Sequence, residues 1–160
     1  MKIKSFSKIN LTLTVLKKLS SGLHDIQSNV CLIDLHDKIA VKETKNSKDI
    51  VIFTGKHSKY IQSKNSITDT LNLLRKHKII KKKFEVKVHK NIPVFSGLGG
   101  GTSNSAFLIK YFLKKKPSQR LLSIFEKKIG TDLRLFFQKQ SLQKNLKKVI
   151  EYINRFKFFF

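Results

Sequence analysis

The chain reads as an α+β protein with helices on one side of a mixed or antiparallel sheet. Three observations predict this. The first half carries strand-period segments. A helical period takes over at Ser66 and returns after residue 104. Between these helical stretches lies an alternating segment that runs into a glycine cluster. A length of 160 residues suits a unit able to bury a core without disulfides.

In order along the chain, Ile9-Asn10-Leu11-Thr12-Leu13-Thr14-Val15 alternates apolar and polar residues. That period predicts one strand with Ile9, Leu11, Leu13 and Val15 on its buried face. Ser20-Ser21-Gly22 is a turn signal. Further strands are predicted at 26–34, 38–43 and 50–53, joined by the polar connections 44–49 and 54–59. Ile67, Leu71 and Leu74 mark a helix from Ser66 to about Lys78. Phe84 to His89 alternates as a strand. Ser105 to Leu113 reads as a helix with Ala106, Ile109 and Leu113 on one face. Pro117 opens another, striped by Leu121, Leu122, Phe125 and Ile129 and capped by Gly130. A last, very basic helix is predicted over 139–151.

Four of the 13 Phe (Phe156, Phe158, Phe159 and Phe160) crowd the last five residues. An apolar run of this kind reads as the start of a strand whose partners are missing; a terminal strand docked on the domain is the alternative. The expected division is therefore an N-terminal lobe over 1–150 and the beginning of a truncated second lobe over 151–160.

Charge comes next: 34 Lys+Arg against 10 Asp+Glu give +24. Such an excess suggests an anionic partner. Its distribution argues against nucleic acid. Only Arg75, Arg120, Arg134 and Arg155 are arginines, the residue that supplies bidentate phosphate and base contacts. Residues 1–85 carry +11 and residues 86–160 carry +13, so neither half is a basic arm. The runs Lys81–Lys83 and Lys114–Lys116 read as solvated surface. A lone Cys31 excludes an intrachain disulfide and reads as a small buried residue. No apolar run is long enough to span a bilayer. No secretion-type apolar region follows Lys2 and Lys4, so the expected location is cytoplasmic, with no membrane partner. The five His are scattered without metal-ligand spacing, and no metal-ligating residue is assigned.

Four of seven glycines (Gly97, Gly99, Gly100 and Gly101) fall within five residues of Pro93-Val94-Phe95-Ser96-Gly97-Leu98-Gly99-Gly100-Gly101-Thr102-Ser103. Successive amides of such a loop form an anion nest, and the helix that follows adds unpaired N–H donors and a positive dipole end. Thr102 and Ser103 stand where hydroxyls cap that helix or meet phosphate and Mg²⁺. The segment lacks a P-loop's Gly-Lys-Ser/Thr ending and Rossmann spacing. A flexible linker would not lie between a strand and a helix. The chemistry is that of a phosphate site, for a nucleotide.

The same segment, continued through Asn104-Ser105-Ala106, resembles the Pro-x-x-x-Gly-Leu-Gly-x-Gly/Ser-Ser-Ser-x-Ala motif of the GHMP kinases. Ser7 to Leu13 (SKINLTL), Gly22 to Ile26 (GLHDI) and Gly130 to Leu133 (GTDL) resemble, in the same order, segments written AKINLTL, DGYHEL and GADVP. Those belong to the branch of the family that phosphorylates the 2-hydroxyl of a cytidine-diphosphate-linked methylerythritol in isoprenoid biosynthesis. The resemblance implies the two-layer, ribosomal-protein-like N-terminal lobe of that family, ATP as co-substrate with Mg²⁺, and a small cytidine diphosphate substrate. It implies ATP binding by Pro93 to Ser103 and by Asn65 near the adenine, although Asn65 is equally suited to capping the helix at Ser66. It implies Asp132 as the catalytic base and Lys8 as its partner, stabilising charge on the transferred group. Asn10 and His24 fall at substrate-side positions, His24 toward the cytosine edge. Departures are Leu23 for an aromatic, Arg134 for a proline after the Asp motif, and Thr102 for a serine. Another GHMP small-molecule kinase, or a basic nucleic-acid module without catalysis, are the alternative functions. Oligomeric state is left open.

Overall fold

The computed structural model describes residues 2–20, 22, 24–61, 65–145 and 148–152. The expectations for Leu23 and for a second lobe over 151–160 lie wholly or mostly outside the described residues. The order is β1 (Lys2–Asn10), β2 (Thr14–Lys18), β3 (His24–Thr44), β4 (Ile50–Thr54), α1 (Ser66–Lys76), β5 (Lys83–His89), α2 (Gly100–Leu113), α3 (Gln119–Ile129), a 3₁₀ helix (Thr131–Phe137), β6 (Gln140–Gln143) and β7 (Val149–Glu151).

The 21-residue β3 organises the sheet. Along one edge it pairs antiparallel with β2, then with β1; along the other with β6, then with β5. β4 joins β5 in parallel through α1, and β7 extends β6 antiparallel. The sheet is thus mixed, as expected. Ile39 and Val41 on β3 and Val86 and Val88 on β5 alternate onto one face. There they meet Ile67, Leu71 and Leu74 of α1, Leu108 and Ile109 of α2, and Phe125 of α3 in a single core. The opposite positions, Lys38, Lys42 and Lys87, face water. Helices therefore cover one face of an α+β unit. Cys31 is buried, as expected.

Four local expectations fail for identifiable reasons. The strand predicted over 9–15 divides at Leu11–Leu13. There Ser28 Oγ donates to the Thr12 carbonyl and Thr12 Oγ1 accepts the Asn29 N–H, so at Thr12 side chains take the place of the ladder bonds. Its alternation is also not a burial pattern: the β2–β3 hairpin runs past the helices, leaving Leu13 60% exposed. The strands predicted at 26–34 and 38–43 are one strand. Asp37 between them is buried and bonded, and the chain does not turn. The predicted basic helix over 139–151 is the β6–β7 hairpin: Gln140–Gln143 pairs with the free edge of β3 at 28–31, and Asn145 Oδ1 accepts the Lys148 N–H at 2.7 Å. Finally, α2 starts at Gly100, inside the glycine cluster, five residues earlier than periodicity shows. Pro117 precedes α3 by two residues, and Ser118 is the cap.

Candidate active site

The glycine loop leaves β5 through a buried anchor. Asp37 Oδ1 accepts the N–H groups of Asn91 (2.8 Å) and Ile92 (2.9 Å), and Asp37 Oδ2 accepts from Lys90 Nζ. Both partners of this ion pair are buried. The loop is tied at its far end to β1, where the Lys8 N–H donates to the Leu98 carbonyl at 3.1 Å. The chain turns through Phe95 and Gly97 between these anchors and through Gly99 just beyond them, all at positive φ. Gly99 caps α2 in the left-handed region with no side-chain acceptor, so the first-turn amides of α2 keep their donors for an anion. A cavity of about 290 Å³ opens over them, walled by Lys90, Val94, Phe95, Thr102, Asp132 and the loop glycines.

Close packing brings the other motifs to this cavity. A Cβ on Gly99 would stand 2.6 Å from Phe136 Cζ and 3.4 Å from Lys8 Cγ. Only hydrogen at this position lets the 3₁₀ helix and β1 both approach the loop. That helix carries Asp132 in its first turn. Lys8 Nζ then lies 3.1 Å from Asp132 Oδ2 and donates to Asn10 Oδ1 at 2.9 Å. Lys8 is buried, while the Asp132 side chain keeps 32% of its exposure, facing the cavity. Asn10 is oriented in turn by donating from Nδ2 to Ser28 Oγ at 2.6 Å. The result is a fixed ammonium beside an open carboxylate at a helix N-terminus, an arrangement for transferring an anionic group to a hydroxyl.

The structure therefore brings together Lys8, Asp132, Asn10 and the loop from Pro93 to Thr102. It separates three other residues. The Ser103 side chain is fully buried; its hydroxyl donates to the Phe6 carbonyl and shares a 2.8 Å hydrogen bond with Ser5, so it holds α2 against β1 instead of facing the cavity. Asn65 is the N-cap of α1, accepting from Thr68 N at 3.0 Å. It adjoins the site through Ser66, whose hydroxyl donates to the Gly101 carbonyl at 2.9 Å. His24 opens β3 opposite Lys18. It is six residues from Val30, the partner of Asn10, or about 20 Å along an extended strand.

Sequence reasoning missed Asp37, Lys90 and Ser28. Nothing in periodicity marks a buried Asp in the middle of a strand, and Lys90 is one of many lysines. Arg134, the departure after the Asp motif, faces α3: its Nε pairs with Glu126 Oε1 at 2.6 Å and Nη2 donates to Ser123 Oγ at 2.8 Å. Burial pushes the Glu126 carboxyl upward against the opposing influence of Arg134. Among the described residues no three His, Cys, Asp or Glu gather as a metal cluster, and no helix is long and apolar enough to cross a membrane.

Comparisons with known proteins agree on the family and the fold. The family model described as GHMP kinases N terminal domain matches residues 65–130, from the cap of α1 to the glycine before Asp132. The chain is 45% identical over 116 residues to a 4-diphosphocytidyl-2-C-methyl-D-erythritol kinase of Pelagibacter ubique, covering 72% of this chain and 41% of that one. It is 33% identical over 140 residues to the kinase of the same name from Ureaplasma parvum, covering 85% and 52%. The chain spans about half the length of the curated relatives it matches. Among solved structures, one of 4-(cytidine 5'-diphospho)-2C-methyl-D-erythritol kinase superposes with a TM-score of 0.68 at 20% identity, over 94% of this chain and 54% of that one. A mevalonate kinase structure gives 0.61 at 17%, over 95% and 56%. The chain belongs to the GHMP kinase family and carries its N-terminal domain.

Proposed function

We propose that this domain serves ATP-dependent phosphorylation of the 2-hydroxyl of 4-diphosphocytidyl-2-C-methyl-D-erythritol. The observation that carries the reading is the 3.1 Å pair of Lys8 Nζ and Asp132 Oδ2 at the open N-terminus of α2. The loop amides and the α2 dipole hold the ATP phosphates. Asp132 takes the proton of the acceptor hydroxyl as that oxygen attacks the γ-phosphorus and ADP leaves. Lys8 steadies the negative charge on the transferring group. Mg²⁺ neutralises charge on the phosphates when bound. Asp132 and Thr102, both at the cavity wall, are the residues that would hold it, consistent with a cation that uses one or two protein oxygens plus phosphates. The distance from Asn10 to His24 along the β2–β3 hairpin suits a long acceptor whose cytosine lies far from its reacting hydroxyl. Relatives named as 4-diphosphocytidyl-2-C-methyl-D-erythritol kinase, matched over 72% and 85% of this chain, support the same substrate class.

The test is γ-phosphate transfer from ATP to this acceptor by the wild type, Lys8→Ala and Asp132→Ala. Both substitutions are expected to abolish transfer while leaving the fold intact by circular dichroism. Transfer unchanged in both variants would sink the assignment. A panel of other small alcohols separates this acceptor from those of other GHMP kinases. The nucleic-acid reading rests on the +24 charge. It requires RNA to bind more tightly than ATP with a steep salt dependence.

A further inference from the structure

Phe95 is out of place by two independent measures. It sits at φ +62° without being glycine, and its side chain is 93% exposed, the most open of the large hydrophobic residues described. The two other non-glycine residues at positive φ, Lys78 and Lys114, lie just beyond the ends of α1 and α2, where a left-handed residue is an ordinary helix stop. Phe95 stops no helix. A bulky side chain held in the left-handed region and pointed into water gains nothing for the fold, and such outliers gather at ligand sites.

Its location says what it faces. The 290 Å³ cavity over the α2 N-terminus has two kinds of wall. The loop glycines, Lys90, Thr102 and Asp132 are polar and suit phosphates; Pro93, Val94 and Phe95 are apolar. The polar end is fixed to the catalytic pair, since Leu98 is bonded to Lys8. Phe95 stands three residues earlier, on the arm arriving from Lys90. A ligand that is polyanionic at one end and flat and aromatic at the other matches both walls at once. We propose that Phe95 is a base-binding residue whose ring stacks on the base of the nucleotide triphosphate held by the glycine loop. This rests on the phosphate-site reading above and adds to it the residue that recognises the base. Stacking on an aromatic ring tolerates many bases but requires one to be present.

The experiment is equilibrium binding to the 160-residue chain, with ATP, inorganic tripolyphosphate and cytidine diphosphate as three probes. Phe95→Ala is expected to weaken ATP about tenfold, roughly 1.4 kcal/mol, and to leave tripolyphosphate within twofold. Phe95→Gly, which removes the backbone strain, is expected to melt no lower than the wild type yet to lose the same tenfold. Because the chain has no Trp, Phe95→Trp introduces a single indole. Its fluorescence is expected to be quenched by ATP and not by tripolyphosphate. Equal loss for ATP and tripolyphosphate, unchanged ATP affinity in Phe95→Ala, or a loss confined to cytidine diphosphate would each overturn the proposal while leaving the phosphate site standing. A wild type that binds neither ATP nor tripolyphosphate would overturn the phosphate site itself, and this inference with it.

Discussion

A methyl group placed on Gly99 would stand 2.6 Å from the Cζ of Phe136. Gly99 ends the glycine loop, and Phe136 is a fully buried ring of the 3₁₀ helix that begins at Thr131. The contact carries Asp132 to the loop, so one hydrogen atom in place of a side chain sets the distance between the glycine loop and the carboxylate.

Gly99→Ala is therefore expected to lower stability by roughly 2–4 kcal/mol. About 1–2 arises from a left-handed φ on a residue with Cβ, and the rest from overpacking against a ring that has no room to withdraw. Urea unfolding measures the loss. In a double-mutant cycle Phe136→Leu should recover part of it, whereas strictly additive effects would show that the two residues do not touch.

The Asp37–Lys90 pair gives a second expectation. Asp37 satisfies two backbone N–H groups and a buried ammonium at once. Asp37→Ala strands all three, and breaking a buried pair in this way costs about 3–5 kcal/mol. The same change should loosen the glycine loop, since residues 90–92 lead into it. Denaturation and ATP affinity should fall together; a variant that melts like the wild type would deny the anchor its role.

How far the chain could be read in advance depended on whether local pattern and tertiary burial agreed. In α1 and α3 they do: the stripes Ile67/Leu71/Leu74 and Leu121/Leu122/Phe125/Ile129 face the core, with Leu121 and Ile129 half-buried at its margin. In the β2–β3 hairpin they do not, because alternation reports strand geometry and not what covers it. The basic segment 139–151 misled in the same way; the vacant edge of β3 chose a hairpin over a helix. At the site, the glycine loop was legible because four glycines in five residues have few other uses. Lys8 and Asp132 were legible only by resemblance. Nothing local distinguishes Lys8 from its fellow lysines; Gly99, Asn10 and Ser28 give it its place. Ser103 shows the limit of a motif, since its hydroxyl serves the packing of α2 on β1.

Asn65 can be made to separate its two readings. As the N-cap of α1 it bonds Thr68 N, and its loss should cost about 1 kcal/mol. Asn65→Asp keeps an acceptor of the same reach and should keep stability. If Asn65 also serves the nucleotide, Asn65→Asp will weaken ATP binding while leaving urea midpoints unchanged. If ATP affinity follows stability across Asn65→Ala, →Ser and →Asp, capping is its whole contribution.

Lys110, which does not line the candidate site's cavity, supplies a pH signature of its own. Its ammonium lies over the rings of Phe107 (4.4 Å) and Phe137 (5.4 Å), at the wall of a cavity of about 660 Å³ that also presents Asp34, Lys139 and Glu151. Burial among these rings pushes its pKa down from 10.5 to about 8. The sign of the linkage follows. Below pH 8 the group is charged in both states, and the folded chain bears the full cost of burying the charge. Between about 8 and 10.5 the folded chain has released the proton while the unfolded chain still holds it. Unfolding then takes up a proton, and this group's contribution to stability rises with pH across that window. Lys110→Met should flatten that rise in urea midpoints measured from pH 7.5 to 10. In the wild type, an amine-selective acylating reagent at pH 8, read by peptide mass spectrometry, should modify Lys110 in greater proportion to its exposure than the exposed Lys114–Lys116. Labelling of Lys110 that appears only near pH 10, with the surface lysines, would show that its burial does not depress the amine.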